Sequence, residues 1–285
     1  MCQGSEVGTG KFHPPLAICR IVELLDTRTL LLTITVLLVA RAAVLAYVWR
    51  VVRHYAPTAY WTAGSILVAV GSLLVGLREI APAGVSIILA QTCIIFGWLL
   101  VDAGIIVAAG RKIPWRSAAA LLLIFLPVLG WFTYASPDYV LRTVVTSVPV
   151  IAVDLYAMFA CLGVRSGRRV ITLRILAAAL GVMVASNIWK MIGAATLQST
   201  SLFQPSPPLI QFLVVSMMYF IASTAIFILL AAQQLQEALD AELAVRKQAE
   251  AELKRHQEHL ESLVRERTVE LEERNAQLDQ TQFAM

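Results

Sequence analysis

The chain has 285 residues, of which 58% are hydrophobic and 15% are charged. Soluble proteins average about 25% charged residues, so this composition excludes an ordinary soluble enzyme and indicates an integral membrane protein. The formal net charge of +4 is unevenly distributed, because beyond Ala232 the acidic residues outnumber the basic ones by twelve to seven. The excess of Lys and Arg lies beside apolar segments, where it indicates membrane topology and not nucleic-acid binding.

The first 28 residues form a short polar tail. It has neither the Lys- or Arg-rich start nor the small-residue cleavage site of a secretory signal peptide, so we expect it to stay attached. The apolar residues that follow Pro14-Pro15 fit a short amphipathic helix at the membrane interface, and a loosely ordered tail fits them equally well.

Seven apolar segments follow, each close to the length of about 20 residues that crosses a bilayer. They lie at 29–50, 59–80, 84–109, 117–134, 140–163, 171–195 and 209–232. The loops after the first, third and fifth segments are rich in Lys and Arg, and the intervening loops are poor in them. The positive-inside rule therefore places the N-terminus outside and the C-terminal region in the cytoplasm. These features predict an all-α membrane protein with seven transmembrane helices.

Tryptophan and glycine have distinct positions in these segments. Amphipathic indole rings favour the membrane interface, and five tryptophans fall near predicted span ends: Trp49, Trp61, Trp115, Trp131 and Trp189. Small residues inside the spans allow helices to approach closely. We expect this packing role for most of the glycines within spans, which are Gly64, Gly71, Gly76, Gly97, Gly104 and Gly181.

Four charged side chains lie inside the apolar segments. Arg41 is near the middle of the first, Asp102 is in the third, Asp154 is in the fifth and Lys190 is in the sixth. Each costs about 2.5–3.5 kcal/mol on insertion scales, so each should face the bundle interior or find a partner. Judged by its depth in the membrane span, Arg41 could contact either Asp102 or Asp154.

Lys190 is close enough to the outer end of its segment to extend toward water, or to form an outward-facing pocket with Arg78 and Glu79. Two interpretations of the charged residues remain open. They are structural ion pairs and snorkelling side chains, or they form a site that senses a ligand or a proton. The sensing interpretation assigns the site to Arg41, Arg78, Glu79, Asp102, Asp154 and Lys190.

The seventh segment passes into a charged region without a helix breaker. Between Gln233 and Asp279 there is neither Gly nor Pro, and most residues are strong helix formers such as Ala, Leu, Glu, Gln, Arg and Lys. We therefore predict one continuous helix that leaves the membrane. Acid-before-base pairs at i,i+4 should steady it: Glu242 with Arg246, Glu250 with Lys254, Glu261 with Arg265 and Glu270 with Arg274.

A sparse apolar seam runs along this charged helix. It consists of Leu253, Leu260, Val264, Leu271 and Leu278, with a four-residue offset between Leu260 and Val264. Such an offset is a stutter, which locally unwinds a coiled coil. The seam predicts a parallel dimer with a marginal core. The alternative is a solvated single helix.

Several kinds of chemical site are missing from the sequence. It contains no phosphate-binding Gly-x-x-x-x-Gly-Lys-Ser/Thr loop, no His-Glu-x-x-His and no Gly-x-Ser-x-Gly, and the seventh segment has no lysine for a retinal Schiff base. His256 and His259 share a helix face, but no further Cys or His lies nearby to complete a metal site. We therefore expect no catalytic residue, no metal and no cofactor in this chain.

Short motifs across residues 25–240 resemble the seven-span sensor region found ahead of proteobacterial diguanylate cyclases and histidine kinases. The motifs are Leu25-Asp26-Thr27-Arg28-Thr29-Leu30, Trp61-x-x-Gly64 with Gly71, Leu77-Arg78-x-x-x-Pro82, Ser86-Ile-Ile-Leu-Ala90, Phe132-Thr-Tyr134 with Pro137-Asp138 and Arg142, and Phe203-x-Pro205-Ser206-Pro207. Gln91 and Glu79 depart from the residues expected at their positions.

The charged helix resembles the signalling helix that joins such sensors to their outputs, through Arg265-Glu266-Arg267-Thr268 followed by Glu270-Leu271. Phe283-Ala284-Met285 resembles the opening of a PAS domain. The resemblance implies four parts: an external tail at 1–28, a membrane sensor at 29–232, a signalling coiled coil at 233–279 and the start of an output domain at 280–285. The output enzyme would be a histidine kinase, with a diguanylate cyclase as the alternative.

The resemblance thus implies a transmitter in the bacterial inner membrane, itself not an enzyme. Its partners would be the lipid bilayer, a second copy of the chain and an unknown small-molecule or membrane-derived signal. A small transporter that uses Arg41, Asp102 and Asp154 as a substrate or proton path is a different interpretation, and so is a membrane assembly protein that docks through the charged helix. The sequence shows no internal repeat and no paired broken helices of the kind that transporters favour.

Overall fold

The computed structural model describes residues 27–52, 55–77, 80–82, 84–197 and 206–283. The regular structure of these residues is entirely helical. It comprises α1 (Thr27–Val51), α2 (Ala56–Gly76), α3 (Gly84–Ala108), α4 (Trp115–Ala135), α5 (Tyr139–Leu162), α6 (Val170–Thr196) and α7 (Pro207–Phe283). All seven helices are long and apolar enough to cross a membrane. The predicted all-α class and the seven apolar segments are therefore confirmed.

Some predictions fall outside the described residues. These are the N-terminal tail apart from its last two residues, the positions of Arg78 and Glu79, and the end of the chain beyond Phe283. The side chain of Leu278 also lies outside the description.

Local chemistry explains several helix boundaries. The carboxylate of Asp138 accepts hydrogen bonds from the backbone N–H groups of Val140 at 2.8 Å and Leu141 at 3.1 Å, which caps the start of α5. Proline, which has no N–H to lose, stands in the first turn of α2 and at the start of α7. The loops that follow α3 and α5 contain Gly110 at φ +75° and Gly167 at φ +109°, a backbone region that favours glycine.

Helices α2 and α3 pack with their backbones almost in contact. A Cβ atom added to Gly64 would lie 2.6 Å from the carbonyl oxygen of Gly97, and one added to Gly71 would lie 2.7 Å from that of Ala90. A Cβ on Gly104 would lie 2.5 Å from the indole nitrogen of Trp61. The packing role predicted for small residues is confirmed at these glycines. Gly181 has only an ordinary contact, and Gly76 has no atom near its missing Cβ.

The first part of α7 contacts α1, α2, α3 and α6 through side chains. The ring of Phe227 stacks on Trp61, with centroids 4.2 Å apart and planes 3° from parallel. Trp61 is therefore fully buried, because it faces α7. Trp49, Trp115, Trp131 and Trp189 are between 44% and 62% exposed. The placement of these five tryptophans at a membrane interface stays a prediction.

The chain divides into two compact units, Met1–Gln233 and Gln234–Met285. In the second unit, Glu270 forms the predicted ion pair with Arg274 at 3.2 Å and also contacts Arg267. Arg246 pairs with Glu250, one turn onward, at 3.2 Å. Glu250 rather than the predicted Glu242 is its partner, and both choices are i,i+4 pairs.

The predicted seam of the second unit is uncovered. Its side chains are 60–63% exposed at Leu253, Leu260, Val264 and Leu271. A row of exposed leucine and valine side chains on an otherwise charged helix is an apolar face without a cover inside the described chain.

Candidate functional site

Arg41 of α1 is the centre of a polar cluster inside the bundle, which we call the charged core: Arg41, Asp102, Asp154 and Tyr219. The Arg41 side chain is only 5% exposed. Its Nε donates to the hydroxyl of Ser65 on α2 at 3.1 Å, and its Nη1 donates to the hydroxyl of Ser223 on α7 at 2.9 Å. One guanidinium therefore joins three helices.

Aromatic rings of α7 enclose the same guanidinium. Its carbon lies 5.2 Å from the ring centroid of Phe227 and 5.4 Å from that of Phe220. A desolvated cation over aromatic rings gains about 2 kcal/mol or more, which offsets part of the cost of burial. Trp98 of α3 packs against Phe220 from the other side, with centroids 5.7 Å apart. The position of Arg41 is thus determined mainly by contacts with α7.

The two aspartates of the charged core face each other. Asp102 of α3 and Asp154 of α5 are both fully buried, and their carboxyl groups are close enough to interact electrostatically. Within the described part of the chain, no other side chain or backbone N–H donates to any of the four carboxyl oxygens. Two buried carboxylates close to each other repel strongly, and a single proton kept on the pair relieves that repulsion.

A single proton on the aspartate pair would make the charged core electrically neutral. One guanidinium and one net carboxylate charge from the aspartate pair cancel, and Arg41 and Asp102 are close enough to interact electrostatically. The hydroxyl of Tyr219 on α7 is buried near both aspartates and has no hydrogen-bond partner among the described residues. A neutral cluster is the form of buried charge that an apolar bundle tolerates at least cost.

The structure brings together Arg41, Asp102 and Asp154, as depth along the sequence suggested. Arg41 does not form the ion pair with Asp102 or Asp154 that its position along α1 allowed. Its hydrogen bonds go to Ser65 and Ser223 and not to a carboxylate. Sequence reasoning missed the pairing of the two aspartates with each other. It also missed Tyr219 and the two serines, since uncharged residues in an apolar helix give no signal of their surroundings.

Lys190 lies apart from the charged core, at the end of the bundle where α6 ends and α7 begins. It borders a cavity of about 210 Å³, which we call the end cavity. Its ammonium donates to the side-chain oxygen of Asn187 at 3.2 Å and lies 4.0 Å from the ring centroid of Phe212 on α7. Arg78 and Glu79, with which Lys190 was predicted to form a pocket, lie outside the described residues, so that prediction stays untested.

A second cation borders the end cavity. Arg142 of α5 lines it, and the Nε of this arginine donates to the backbone oxygen of Asp138 at 3.3 Å. Further polar groups and aromatic rings complete the wall; they include Gln91, Thr143, Thr146, Asn187, Trp98 and Phe212. No carboxylate belongs to the wall among the residues that the structure describes. The end cavity therefore combines two positive charges with an apolar and aromatic lining.

Over residues 27–283, gaps excepted, no group of three His, Cys, Asp or Glu side chains is placed to hold a metal ion. The charged core and the end cavity are both walled in part by α7.

Comparison with known proteins gives no relative for this chain: no family model, no curated protein and no solved structure matches it.

Proposed function

We propose that the chain is the sensing and transmitting part of a bacterial membrane signalling protein. One observation carries the proposal: the helix that walls both candidate sites, α7, continues without interruption from Pro207 to Phe283. A change at either site acts on a helix whose far part is highly charged and has an uncovered apolar seam. A rigid helix is the simplest mechanical link between a buried site and a distant output.

In this proposal the seven helices span the inner membrane, with the N-terminus outside. Basic residues support the orientation, because Arg50 ends α1, Arg111 and Lys112 follow α3, and Arg165 and Arg168 follow α5. All of these lie at the opposite end of their helices from the end cavity. The end cavity would then face the outside, and the charged part of α7 would lie in the cytoplasm.

Transmission needs two states that a signal stabilises to different degrees. The bonds from Arg41 to Ser223 and the aromatic contacts at Phe220 and Phe227 fix the rotation of α7 within the bundle. A signal that weakens them would let α7 rotate or shift. The stutter between Leu260 and Val264 would convert this movement into a choice between two packings of a parallel dimer. The dimer would control a cytoplasmic output domain, a histidine kinase or, as the alternative, a diguanylate cyclase.

Cysteine cross-linking in isolated membranes tests the dimer. In a chain whose four native cysteines are replaced by serine, single cysteines at the seam should form symmetric disulfides, because a parallel dimer brings equal positions together. The positions are Leu253, Leu260, Val264, Leu271 and Leu278. Ser262 is the matched control, since it is two residues from both Leu260 and Val264 and lies on the opposite face. Cross-linking at Ser262 alone, or at none of the seam positions, would contradict the dimer.

The same assay tests transmission. Ser223→Ala removes the hydroxyl that joins Arg41 to α7, so the ratio of cross-linking rates at Leu260 and Val264 should change, by about twofold or more. Ser216→Ala is the control, because the hydroxyl of Ser216 bonds only within α7, to the carbonyl of Phe212. Unchanged ratios in both variants would mean that the charged helix serves assembly without transmitting a state of the bundle.

One observation favours a second function. A buried carboxyl pair that shares a proton is typical of proton paths, so Asp102 and Asp154 fit a proton-coupled transporter as well. Proton uptake by proteoliposomes under an imposed pH gradient distinguishes the two functions. A transporter loses uptake with Asp102→Asn and leaves the cross-linking ratio of the previous test unchanged.

A further inference from the structure

We propose that the end cavity binds a small amphipathic monoanion, a carboxylate on an apolar body of about eight carbon atoms. The inference rests on the proposed function, because it names the chemical class of the stimulus. It is argued from the charge, the size and the walls of the cavity.

The charge of the wall indicates an anion. Lys190 and Arg142 both border the cavity, and no described wall residue is a carboxylate that would neutralise them. The contacts of Lys190 with an amide oxygen and an aromatic ring, and the contact of Arg142 with a backbone carbonyl, leave both formal charges uncompensated within the described residues. Two unpaired cations at one half-buried cavity are costly unless an anion joins them.

The other groups of the wall select among anions. Gln91 and Asn187 carry amide N–H donors, of which Asn187 already gives one to the carbonyl of Met183, so with the two cations they can hold the two oxygens of a carboxylate. The hydroxyl groups of Thr143 and Thr146 donate to backbone carbonyls of their own helix. Leu31, Ile94, Ile95, Leu129 and Met183 form an apolar side. A ligand that satisfies both sides has one charged end and one apolar end. A small inorganic anion would leave the apolar side in contact with water.

The volume limits the size of the ligand. An apolar cavity of about 150 Å³ accommodates benzene in a protein interior. The end cavity, at about 210 Å³, has room for a few more heavy atoms. Octanoate and 3-phenylpropanoate have this size and the same carboxylate. The first represents an acid released from lipid, and the second represents an aromatic acid dissolved in the medium.

The position of Lys190 connects this ligand to α7. Its ammonium lies against the ring of Phe212, and Leu209 and Leu213 of the same helix also line the cavity. A carboxylate bound to Lys190 would draw the ammonium toward the cavity and away from the ring. Ligand binding would in this way alter a contact that holds the first turns of α7.

Equilibrium binding to the purified full chain in phosphatidylcholine nanodiscs tests the proposal. Radiolabelled octanoate should bind saturably and be displaced by unlabelled octanoate or 3-phenylpropanoate, and octanol and octylammonium of equal chain length should displace it poorly. Whichever acid displaces it at lower concentration identifies the source of the natural ligand. Displacement by octylammonium as effective as that by octanoate, or binding without saturation, would overturn the proposal.

Charge variants identify the anion-binding groups. Lys190→Met and Arg142→Gln should each weaken octanoate binding by about tenfold or more, the loss of a charge-assisted hydrogen bond. Lys190→Arg keeps the charge and should restore most of the affinity. Arg174→Gln is the matched control, because Arg174 is an exposed cation of α6 outside the cavity wall. Equal affinity in all four variants would place the ligand elsewhere.

The binding assay contains no signalling readout, so the two proposals fail separately. Absence of saturable octanoate binding, with a cross-linking ratio that still responds to Ser223→Ala, would reject the ligand class and keep the sensor. The opposite result is saturable octanoate binding with a cross-linking ratio that responds neither to octanoate nor to Ser223→Ala. That result would support the ligand site and reject the sensor.

Discussion

Replacing both Asp102 and Asp154 with asparagine should lower the free energy of unfolding by about 3–5 kcal/mol, the range for a buried charge that loses its partner. With one proton on the pair, a single negative charge lies near Arg41, and both aspartates are fully buried. The double variant removes that charge and leaves the guanidinium uncompensated in an apolar bundle. Unfolding of the purified protein in mixed detergent micelles measures the difference.

The single variants and a triple variant serve as controls. Asp154→Asn alone keeps one carboxylate, and the new amide can donate the hydrogen bond that the shared proton supplied, so stability should change by no more than about 1 kcal/mol. Adding Arg41→Met to the double variant removes the unbalanced charge and should recover part of the loss. If the double variant is as stable as the single ones, the charge of Arg41 is balanced by another group, and the neutral core described above is incorrect.

Substitution of Gly64 by alanine should destabilise the bundle by about 1–3 kcal/mol, and substitution by valine should cost more. The added Cβ would lie 2.6 Å from the carbonyl oxygen of Gly97 and 2.9 Å from the backbone nitrogen of Val101. Both neighbours are backbone atoms, which cannot rotate away, so α2 and α3 would have to separate. Thermal unfolding in the same micelles measures this effect.

Gly76 provides the matched control for Gly64 in the same helix. No heavy atom lies within 4 Å of the Cβ that alanine would add there. Gly76→Ala should therefore leave stability unchanged or raise it by up to about 1 kcal/mol, since alanine restricts the unfolded chain. Equal changes in stability at Gly64 and Gly76 would mean that the contact between α2 and α3 does not determine the role of Gly64.

The sequence was sufficient to predict the number and kind of the helices. Runs of apolar residues and the distribution of breakers are local properties, and they predicted the seven apolar helices and the absence of a break between Pro207 and Phe283. The close approach at Gly64 and Gly71 was also foreseeable, because a side chain of hydrogen alone permits backbone contact.

The tertiary structure alone decided which groups meet. Depth along each helix placed Arg41, Asp102 and Asp154 at a similar level, but the rotation of each helix determined that Arg41 bonds to serines and that the two aspartates face each other. The same reason explains the burial of Trp61, which lies near a helix end and faces Phe227. Rotation depends on packing across the whole bundle, and no single segment encodes it.

The end cavity shows the same division between sequence and structure. The sequence singled out Lys190 as a charge in an apolar segment, because such a charge is costly wherever it lies. Asn187 precedes Lys190 on the same helix, but Arg142 and Phe212 come from two other helices, α5 and α7. The apolar sequence thus predicted seven helices, and it identified the few charged residues that lie inside them. Only the packing of those helices decided which of the described charged groups lie near one another and which border the end cavity.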